Sequence, residues 1–107
     1  MASVVQQDRV FHAIADSNRR RMLDLLAARD SPAQELAAHF DITFAAVSQH
    51  LKVLRKAGLV TRRAEGRSRV YRLTPEKLRM VEEWTAQYRQ FWQSRLKRLG
   101  EYLNEQK

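Results

Sequence analysis

The sequence predicts a mainly α-helical fold with one small β-hairpin, in the order α-α-α-α-β-β-α, and three observations lead to that fold class. Apolar residues recur at helical spacing along most of the chain. Residues 59 to 73 have β-favouring ends around a charged centre that contains Gly66. The 107 residues are 44% hydrophobic and contain no internal repeat and no low-complexity linker, so residues 1–107 are expected to form one domain.

The first two helices are predicted from apolar spacing and a capping residue. The segment from 4 to 14 is loosely amphipathic, with apolar residues Val4, Val5, Val10, Phe11 and Ile14. Asp16 or Ser17 can cap the second helix by accepting an unpaired backbone N–H. That helix is expected to reach about Ala28 and to contribute Met22, Leu23, Leu25 and Leu26 to the core.

A third, short helix is predicted from the pattern at residues 31 to 34. Ser31 supplies a hydroxyl cap, Pro32 stands at the first position, where no N–H is needed, and Gln34 follows three residues after the cap. The helix is expected to end near His39.

The fourth helix is the candidate functional element. Thr43 is placed to cap it, and Gly58 supplies the left-handed residue that stops it after Ala57. Two amphipathic helices joined by three or four residues are typical of a helix-turn-helix. The buried side of the fourth helix is expected to hold Val47, Leu51 and Leu54, with Ala46, His50 and Ala57 beside them.

The outward side of this helix predicts contact with DNA. Its residues are Phe44, Ala45, Ser48, Gln49, Lys52 and Lys56. An α-helix fits the major groove, where Gln and Ser can pair with base edges, and Lys52, Arg55 and Lys56 further along suit phosphates. The alternative is an ordinary solvated helix face.

A β-hairpin with a basic tip is predicted directly after the fourth helix. Its arginines are Arg62, Arg63, Arg67, Arg69 and Arg72. Arginines at a hairpin tip can enter a minor groove or bind phosphates, although charge can also simply protect an exposed sheet edge from aggregation. Together with the preceding helices, the hairpin predicts a winged helix-turn-helix.

The last helix is expected over residues 75–104, with Thr74 as its cap and Pro75 at its first position. Its apolar stripe is wider than one contact with a core requires. We therefore expect a dimeric fold in which the N-terminal helix and this helix form the interface, through Phe11, Trp84, Tyr88, Phe91, Trp92 and Leu99. A ligand pocket between these aromatic side chains is the alternative.

The charge distribution also favours a nucleic-acid partner. The net charge is +8 and the isoelectric point is near 10.6. Residues 43 to 77 contain nine lysines and arginines against two acidic residues, so this third of the chain carries +7. Such a segment could lie along a phosphate backbone, whereas a generally basic protein is the other interpretation.

Arg19, Arg20 and Arg21 cannot all face one way on a helix, because successive positions turn by about 100°. Ion pairs with carboxylates such as Asp16 or Asp24 are expected for them, or one contact with phosphate.

Several function classes are excluded or disfavoured. Without cysteine there is no disulfide and no cysteine-ligated metal. His12, His39 and His50 fall on three different helices, so no metal site is expected. His39 is expected to be exposed, and His50 to bond to backbone at a helix interface or, alternatively, to face the DNA groove. No phosphate loop, nucleophile elbow or carboxylate pair near a histidine is present, so neither an enzyme nor a cofactor is expected.

The chain contains no apolar run near the length that spans a bilayer, about 20 residues, and the start MASVVQQDRV lacks the pattern of a signal peptide. A cytoplasmic protein without a membrane partner is expected.

Three stretches of the chain resemble the ArsR-type winged-helix repressors. They are DSNRRRMLDLL, SPAQELAAHFDITFAAVSQHLKVLRKAGLV and RRAEGRSRVYRL. The resemblance implies a homodimer on a partly palindromic DNA operator, often at its own promoter. It maps Thr43, Phe44, Ala45, Ser48, Gln49 and Lys52 to recognition positions, and Arg67 and Arg69 to the tip of the wing.

The metal sites of that family are not matched. One metal site of the family uses cysteines, which are absent here. The other uses Asp, His and Glu of the last helix, whereas residues 75 to 107 contain no Asp and no His. The chain is therefore more similar to the metal-independent branch. The expected function is that of a repressor that blocks polymerase by occupying its operator, and the sequence identifies no inducer. The alternative is a protein-interaction module that docks an acidic partner.

Overall fold

A computed structural model describes residues 3 to 105. In this range the helices are α1 (Val4–Ile14), α2 (Ser17–Ala28), α3 (Ala33–Ala37), α4 (Phe44–Lys56), α5 (Arg79–Ala86) and α6 (Arg89–Glu105), with a 3₁₀ turn at Pro75–Leu78. The strands are β1 (Ser31–Pro32), β2 (Val60–Glu65) and β3 (Ser68–Leu73). The ends of the domain expected over residues 1–107, at positions 1, 2, 106 and 107, lie outside the described residues.

The core lies between α1, α2, α3, α4 and the base of the hairpin. Its fully buried side chains are Val10, Met22, Leu36, Val47, Leu51, Leu54, Leu59 and Val60. The predicted burial of Met22, Leu23 and Leu26 is confirmed, and Leu25 packs partly buried beside them. Burying this apolar surface is the main favourable term that holds α4 against the other helices.

The helix starts follow local capping chemistry. Of the two candidate caps for α2, Asp16 is the one used, because its carboxylate accepts the backbone N–H of Arg19 at 3.1 Å. Thr43 caps α4 as predicted, with its hydroxyl accepting the N–H of Ala46 at 3.0 Å. Gly58 has a φ of 78°, the left-handed conformation expected of the residue that stops α4.

The predicted start of α3 is wrong. Ser31 is not a helix cap but pairs with Tyr71, while Pro32 pairs with Val70, so these two residues form a third strand in the order β1-β3-β2. Proline is tolerated there because β1 is an edge strand. The helix therefore begins at Ala33 and ends at Ala37, two residues before the expected end.

The hairpin forms as predicted. β2 and β3 pair antiparallel from Val60 opposite Leu73 to Glu65 opposite Ser68, and a two-residue turn joins them. Gly66 occupies that turn with a φ of 60°. A residue without a Cβ adopts this conformation at little cost, which explains the glycine.

The single helix expected over residues 75–104 is wrong. The Thr74 hydroxyl donates to the carbonyl of Gly58 at 2.8 Å, so it anchors the hairpin base instead of capping a helix. A 3₁₀ turn follows, and α5 ends at Ala86. The N–H of Tyr88 then bonds to the carbonyl of Thr85, three residues back, which tightens the backbone between α5 and α6. The final helix also continues through Gly100 to Glu105.

The C-terminal helices extend away from the core. The radius of gyration is 18.2 Å, against about 13 Å for a compact domain of this length. The longest dimension is 61 Å, and every side chain of α6 through Glu105 is exposed. Within residues 3–105, no helix combines the length and apolar character needed to cross a membrane.

Candidate nucleic-acid interface

The fourth helix presents one apolar side to the core and one polar side to solvent. Val47, Leu51 and Leu54 are fully buried. The exposed residues include all those predicted to face outward: Phe44, Ala45, Ser48, Gln49, Lys52 and Lys56. The division between the two sides of α4 is therefore confirmed.

A groove of about 550 Å³ lies between α4, the start of α3 and the hairpin. Seven predicted DNA-binding residues line it: Phe44, Ala45, Ser48, Gln49, Lys52, Arg67 and Arg69. The structure thus brings residues separated by more than 20 positions in sequence onto one concave surface. We call this surface the α4–wing groove.

The α4–wing groove is cationic. Lys52, Arg55, Arg62, Arg67 and Arg69 line it, and no carboxylate from the described residues does. The other lining residues carry amide, hydroxyl or apolar groups. Clustered lysine and arginine beside short polar side chains match a ligand with a charged backbone and hydrogen-bonding edges, which is the chemistry of a nucleic acid.

Two predicted DNA-binding residues lie outside this groove. The hydroxyl of Thr43 is occupied as the cap of α4. Lys56 faces a separate cavity of about 150 Å³, beside Gln6, Arg9 and Lys77. The cause for Lys56 is helical geometry, because it lies one turn beyond Lys52 but about 40° around the axis.

Three groove residues were missed as site residues by sequence reasoning. Ala33 and Gln34 belong to the first turn of α3, which was interpreted only as a helix start. Tyr71 stands directly opposite Arg62 in the hairpin, and the Arg62 Nη1 lies 3.5 Å from its hydroxyl. The signal that could have found Tyr71 is the two-residue alternation of strands, which puts residues 62, 69 and 71 on the same face once the register is known.

Not every arginine of the hairpin is available to a ligand. Arg63 donates to Asp30 at 2.8 Å and to Glu65 at 2.9 Å. These hydrogen bonds to Asp30 and Glu65 raise the pKa of Arg63. Two carboxylates therefore offset its charge, and the contact with Asp30 ties β2 to the loop that follows α2.

A buried cationic junction lies behind the groove. Arg19 is 8% exposed, and its Nε donates to the carbonyl of Ala13 at 2.7 Å and its Nη2 to that of His12 at 2.9 Å. Its Nη1 lies 3.1 Å from Nδ1 of His50 on α4. The expected bond from His50 to backbone is therefore wrong.

The neighbouring arginines also bond to groups other than carboxylates. Arg20 donates to the carbonyl of Ile14 at 2.8 Å. Arg21 lies over the ring of Phe40 at 5.3 Å. Among the described residues the expected ion pairs of Arg19, Arg20 and Arg21 with Asp16 or Asp24 do not form, because Arg19 and Arg20 donate to carbonyls at the end of α1 and Arg21 lies over Phe40.

A second, apolar surface covers α5, α6 and the adjoining side of α1. Phe11 contacts Trp84 edge-on with ring centres 5.6 Å apart, and Trp84 contacts Tyr88 in the same way at 5.7 Å. The predicted interface residues of α5, α6 and the turn between them are all exposed, from 44% for Tyr88 to 58% for Phe91. The ring contacts continue from Tyr88 to Phe91, whose centres are 6.3 Å apart, and the part of the predicted residues in a dimer stays a prediction.

Metal-ligating chemistry is not concentrated anywhere in the described part of the chain. No group of three or more His, Asp or Glu residues is close enough to hold an ion among residues 3 to 105. His39 is exposed as expected.

The fold and the groove define a winged helix-turn-helix DNA-binding protein. Comparison with known proteins agrees: the family model "Bacterial regulatory protein, arsR family" matches residues 16–62. The HTH-type transcriptional regulator Rv2034 of Mycobacterium tuberculosis is 43% identical over 75 residues, which cover 70% of each chain.

Two further comparisons give the same result. The transcriptional repressor SdpR of Bacillus subtilis is 36% identical over 75 residues, covering 70% of this chain and 83% of that one. The solved homodimeric winged helix-turn-helix DNA-binding domain Mb0332 of Mycobacterium bovis superposes with a TM-score of 0.67 at 26% identity, covering 85% of both chains. The chain belongs to the ArsR family of bacterial transcriptional regulators, which are not enzymes.

Proposed function

We propose that this protein is a homodimeric repressor that occupies a partly palindromic operator and so blocks access of polymerase. In this proposal α4 enters the major groove, and the hairpin lies alongside it against the DNA backbone. The observation that carries the proposal is the α4–wing groove, in which polar side chains of α4 stand among five cations.

The roles follow from the chemistry of each side chain. Ser48 and Gln49 are exposed near the start of α4, where their oxygen and amide groups can pair with base edges. Phe44 and Ala45 offer apolar contacts to thymine methyl groups. The cationic residues Lys52, Arg55, Arg62, Arg67 and Arg69 bind phosphates, which position the protein without reading sequence.

The homodimer is supported by the apolar surface of α5 and α6. Trp84, Phe91, Trp92 and Leu99 each expose between 46% and 58% of their area, and a contiguous apolar surface of this kind marks an interface. The related domain from Mycobacterium bovis is described as homodimeric. Two copies would present two α4 helices to half-sites about one helical turn apart.

Repression is proposed from the name of one relative, and the absence of metal control is proposed from the sequence. The Bacillus subtilis relative is named a transcriptional repressor, and occupancy of an operator at the protein's own promoter would give autorepression. The sequence has no cysteine and has neither Asp nor His after residue 75, so we assign the protein to the metal-independent branch. It would act in the cytoplasm, on chromosomal DNA.

The proposal is tested by selection and footprinting. Duplexes that bind the protein are selected from a random library, and one of them is treated with hydroxyl radicals in the presence of protein. The expected result is two protected half-sites related by a two-fold axis and separated by about one helical turn. A single protected stretch without symmetry would contradict the dimeric operator complex. No selected sequence at all would favour the alternative, in which the basic face docks an acidic protein.

A further inference from the structure

We propose that Arg19 and His50 form a positioning pair that fixes α4 relative to the end of α1 and thereby sets how well the protein discriminates DNA sequences. This inference rests on the proposed function of α4 in reading DNA. Neither residue lines the α4–wing groove, so the pair would act on DNA recognition only through the placement of the helix.

Burying the guanidinium of Arg19 costs free energy unless its N–H groups are paired. A guanidinium that is 8% exposed must have its N–H groups paired, because an unpaired buried charge is strongly destabilising. No carboxylate of the described residues pairs with the Arg19 guanidinium, which bonds to three neutral acceptors instead. The planar fork of the side chain fixes the relative positions of those three acceptors.

The three acceptors of Arg19 lie on two different helices. The carbonyls of Ala13 and His12 belong to the last turn of α1, where the regular pairing of the helix ends, and that of His12 also accepts the N–H of Ala15 at 3.2 Å. The negative end of the helix dipole also favours a cation there. The third acceptor, Nδ1 of His50, lies on α4. One side chain on α2 therefore links the end of α1 to the middle of α4.

His50 is the hydrogen-bond acceptor in its contact with Arg19. A guanidinium has only donors, so the contact at 3.1 Å requires Nδ1 to be the acceptor, with the ring neutral and its proton on Nε2. His50 directly follows Gln49 and stands two residues before Lys52. A shift of α4 at His50 would therefore move both groove residues at once.

The end of α1 also contacts the apolar surface of α5. Phe11 is the neighbour of His12 in α1, and its ring contacts Trp84 of α5 at 5.6 Å. The end of α1 thus contacts the proposed dimer surface on one side and, through Arg19, the DNA-reading helix on the other. Displacement of α1 at the interface would be passed to α4 through this contact.

The experiment compares two nearly isosteric substitutions. His50→Asn keeps an acceptor oxygen at the δ position, whereas His50→Leu has the same branching with no acceptor. Affinities are measured by fluorescence anisotropy for a duplex that the wild-type protein selects from a random library and for a scrambled duplex of the same length. Because an unfolded fraction lowers binding to both duplexes equally, the ratio of the two affinities reports helix placement.

The expected result is that His50→Leu loses about tenfold in affinity for the selected duplex, the size of one hydrogen bond to a charged group. Affinity for the scrambled duplex and its salt dependence stay unchanged, because phosphate contacts tolerate a displaced helix. His50→Asn retains the wild-type ratio. Equal losses on both duplexes, or equal ratios for the Leu and Asn variants, would overturn the proposal.

Arg20→Lys is the matched control. Arg20 also donates to a carbonyl at the end of α1, Ile14, at 2.8 Å, but it does not reach α4. We expect this variant to keep the wild-type ratio, whereas Arg19→Lys lowers it, because a lysine cannot reproduce the planar fork. Combining Arg19→Lys with His50→Leu should cost no more than the worse single change, since both remove the same contact.

A readout without DNA separates this inference from the proposed function. If the wild-type protein selects no duplex, the proposed function fails, and amide hydrogen exchange then decides the role of the pair. Faster exchange in α4 for His50→Leu than for His50→Asn supports the positioning role. Equal exchange in the two variants would overturn it.

Discussion

At the scale of single residues, Gln49 and Arg67 are expected to contribute to DNA binding in different ways. Gln49 is an exposed amide on α4, and Arg67 is a cation at the hairpin turn. Gln49→Ala should relax preference at one base position by about 1–3 kcal/mol. Arg67→Ala should weaken binding to all sequences and lower the slope of affinity against salt by about one unit.

These two variants are compared by anisotropy on single-base variants of a selected operator and on random duplex. Equal loss on operator and random DNA for Gln49→Ala would contradict its assignment to base reading. A loss for Arg67→Ala that is confined to one sequence would contradict its assignment to phosphate.

Asp16 gives a prediction about acid stability. Accepting the backbone N–H of Arg19 lowers the pKa of Asp16 below its ordinary value of 3.8, and the nearby charge of Arg19 adds to this effect while partial burial opposes it. The folded state therefore binds the proton more weakly than the unfolded state. The stability that the charge provides is fully present above pH ~4 and is lost as the pH falls through the lowered pKa.

Urea unfolding over a pH series measures this contribution. Asp16→Asn keeps a good cap without the charge, so its stability relative to wild type should improve below pH ~4. Asp16→Ala removes the cap and should cost about 1 kcal/mol at neutral pH. A constant difference between wild type and Asp16→Asn across this range would contradict the assignment.

The residues that sequence reasoning placed correctly act locally. The caps Asp16 and Thr43 bond to an N–H three residues ahead, and Gly58 is required by its own φ. The contact between Arg19 and His50 joins residues 31 positions apart, so no local pattern indicates it. Sequence periodicity gave the exposed side of α4, but the groove itself depends on where the hairpin folds back.

At the scale of elements, the wrong starts predicted for α3 and for the last helix have one cause in common. Ser31 and Thr74 both fit the pattern of a helix cap, yet each is engaged by the hairpin: Ser31 pairs with Tyr71, and Thr74 bonds to the carbonyl of Gly58. Tertiary pairing took precedence over local propensity in both cases. The break between α5 and α6 left no signal, since no Gly or Pro stands at residues 86 to 89.

Two glycine substitutions should have opposite effects on stability. An alanine Cβ meets nothing within 4 Å at either Gly66 or Gly100. At Gly66 the φ of 60° makes alanine unfavourable by about 1–2 kcal/mol. At Gly100, inside α6, alanine favours the helix by about 1 kcal/mol.

Thermal unfolding followed by circular dichroism tests both changes. Gly66→Ala is expected to lower Tm and Gly100→Ala to raise it. A lower Tm for Gly100→Ala would mean that α6 packs closely against another surface at that position, which would contradict its open environment.

At the scale of the whole molecule, the elongated shape points to association. A radius of gyration of 18.2 Å exceeds the value of about 13 Å for a compact chain of this size. Exposed aromatic and leucine side chains lie along this extension, from Trp84 to Leu103. Pairing with a second copy would bury them.

A charged substitution in this surface should produce a monomer. Trp92→Glu places a carboxylate among apolar residues of α6, whereas Gln93→Glu makes a similar change on the adjoining polar side. Sedimentation should give a monomer for the first variant and a dimer for the second. Operator affinity should fall by about a hundredfold or more only for Trp92→Glu, because the two half-sites are then bound independently. A dimeric Trp92→Glu would contradict the proposed interface.

One binding measurement decides whether the cationic α4–wing groove reads a specific DNA sequence. The purified wild-type protein is titrated by fluorescence anisotropy into the DNA upstream of its own gene and into a scrambled duplex, each at two salt concentrations. We expect a preference for the upstream DNA of about a thousandfold or more, with affinity for both duplexes falling as salt rises. Equal affinity for the two duplexes at both salt concentrations would contradict specific autoregulation, and no binding to either would contradict the role of the groove in DNA recognition.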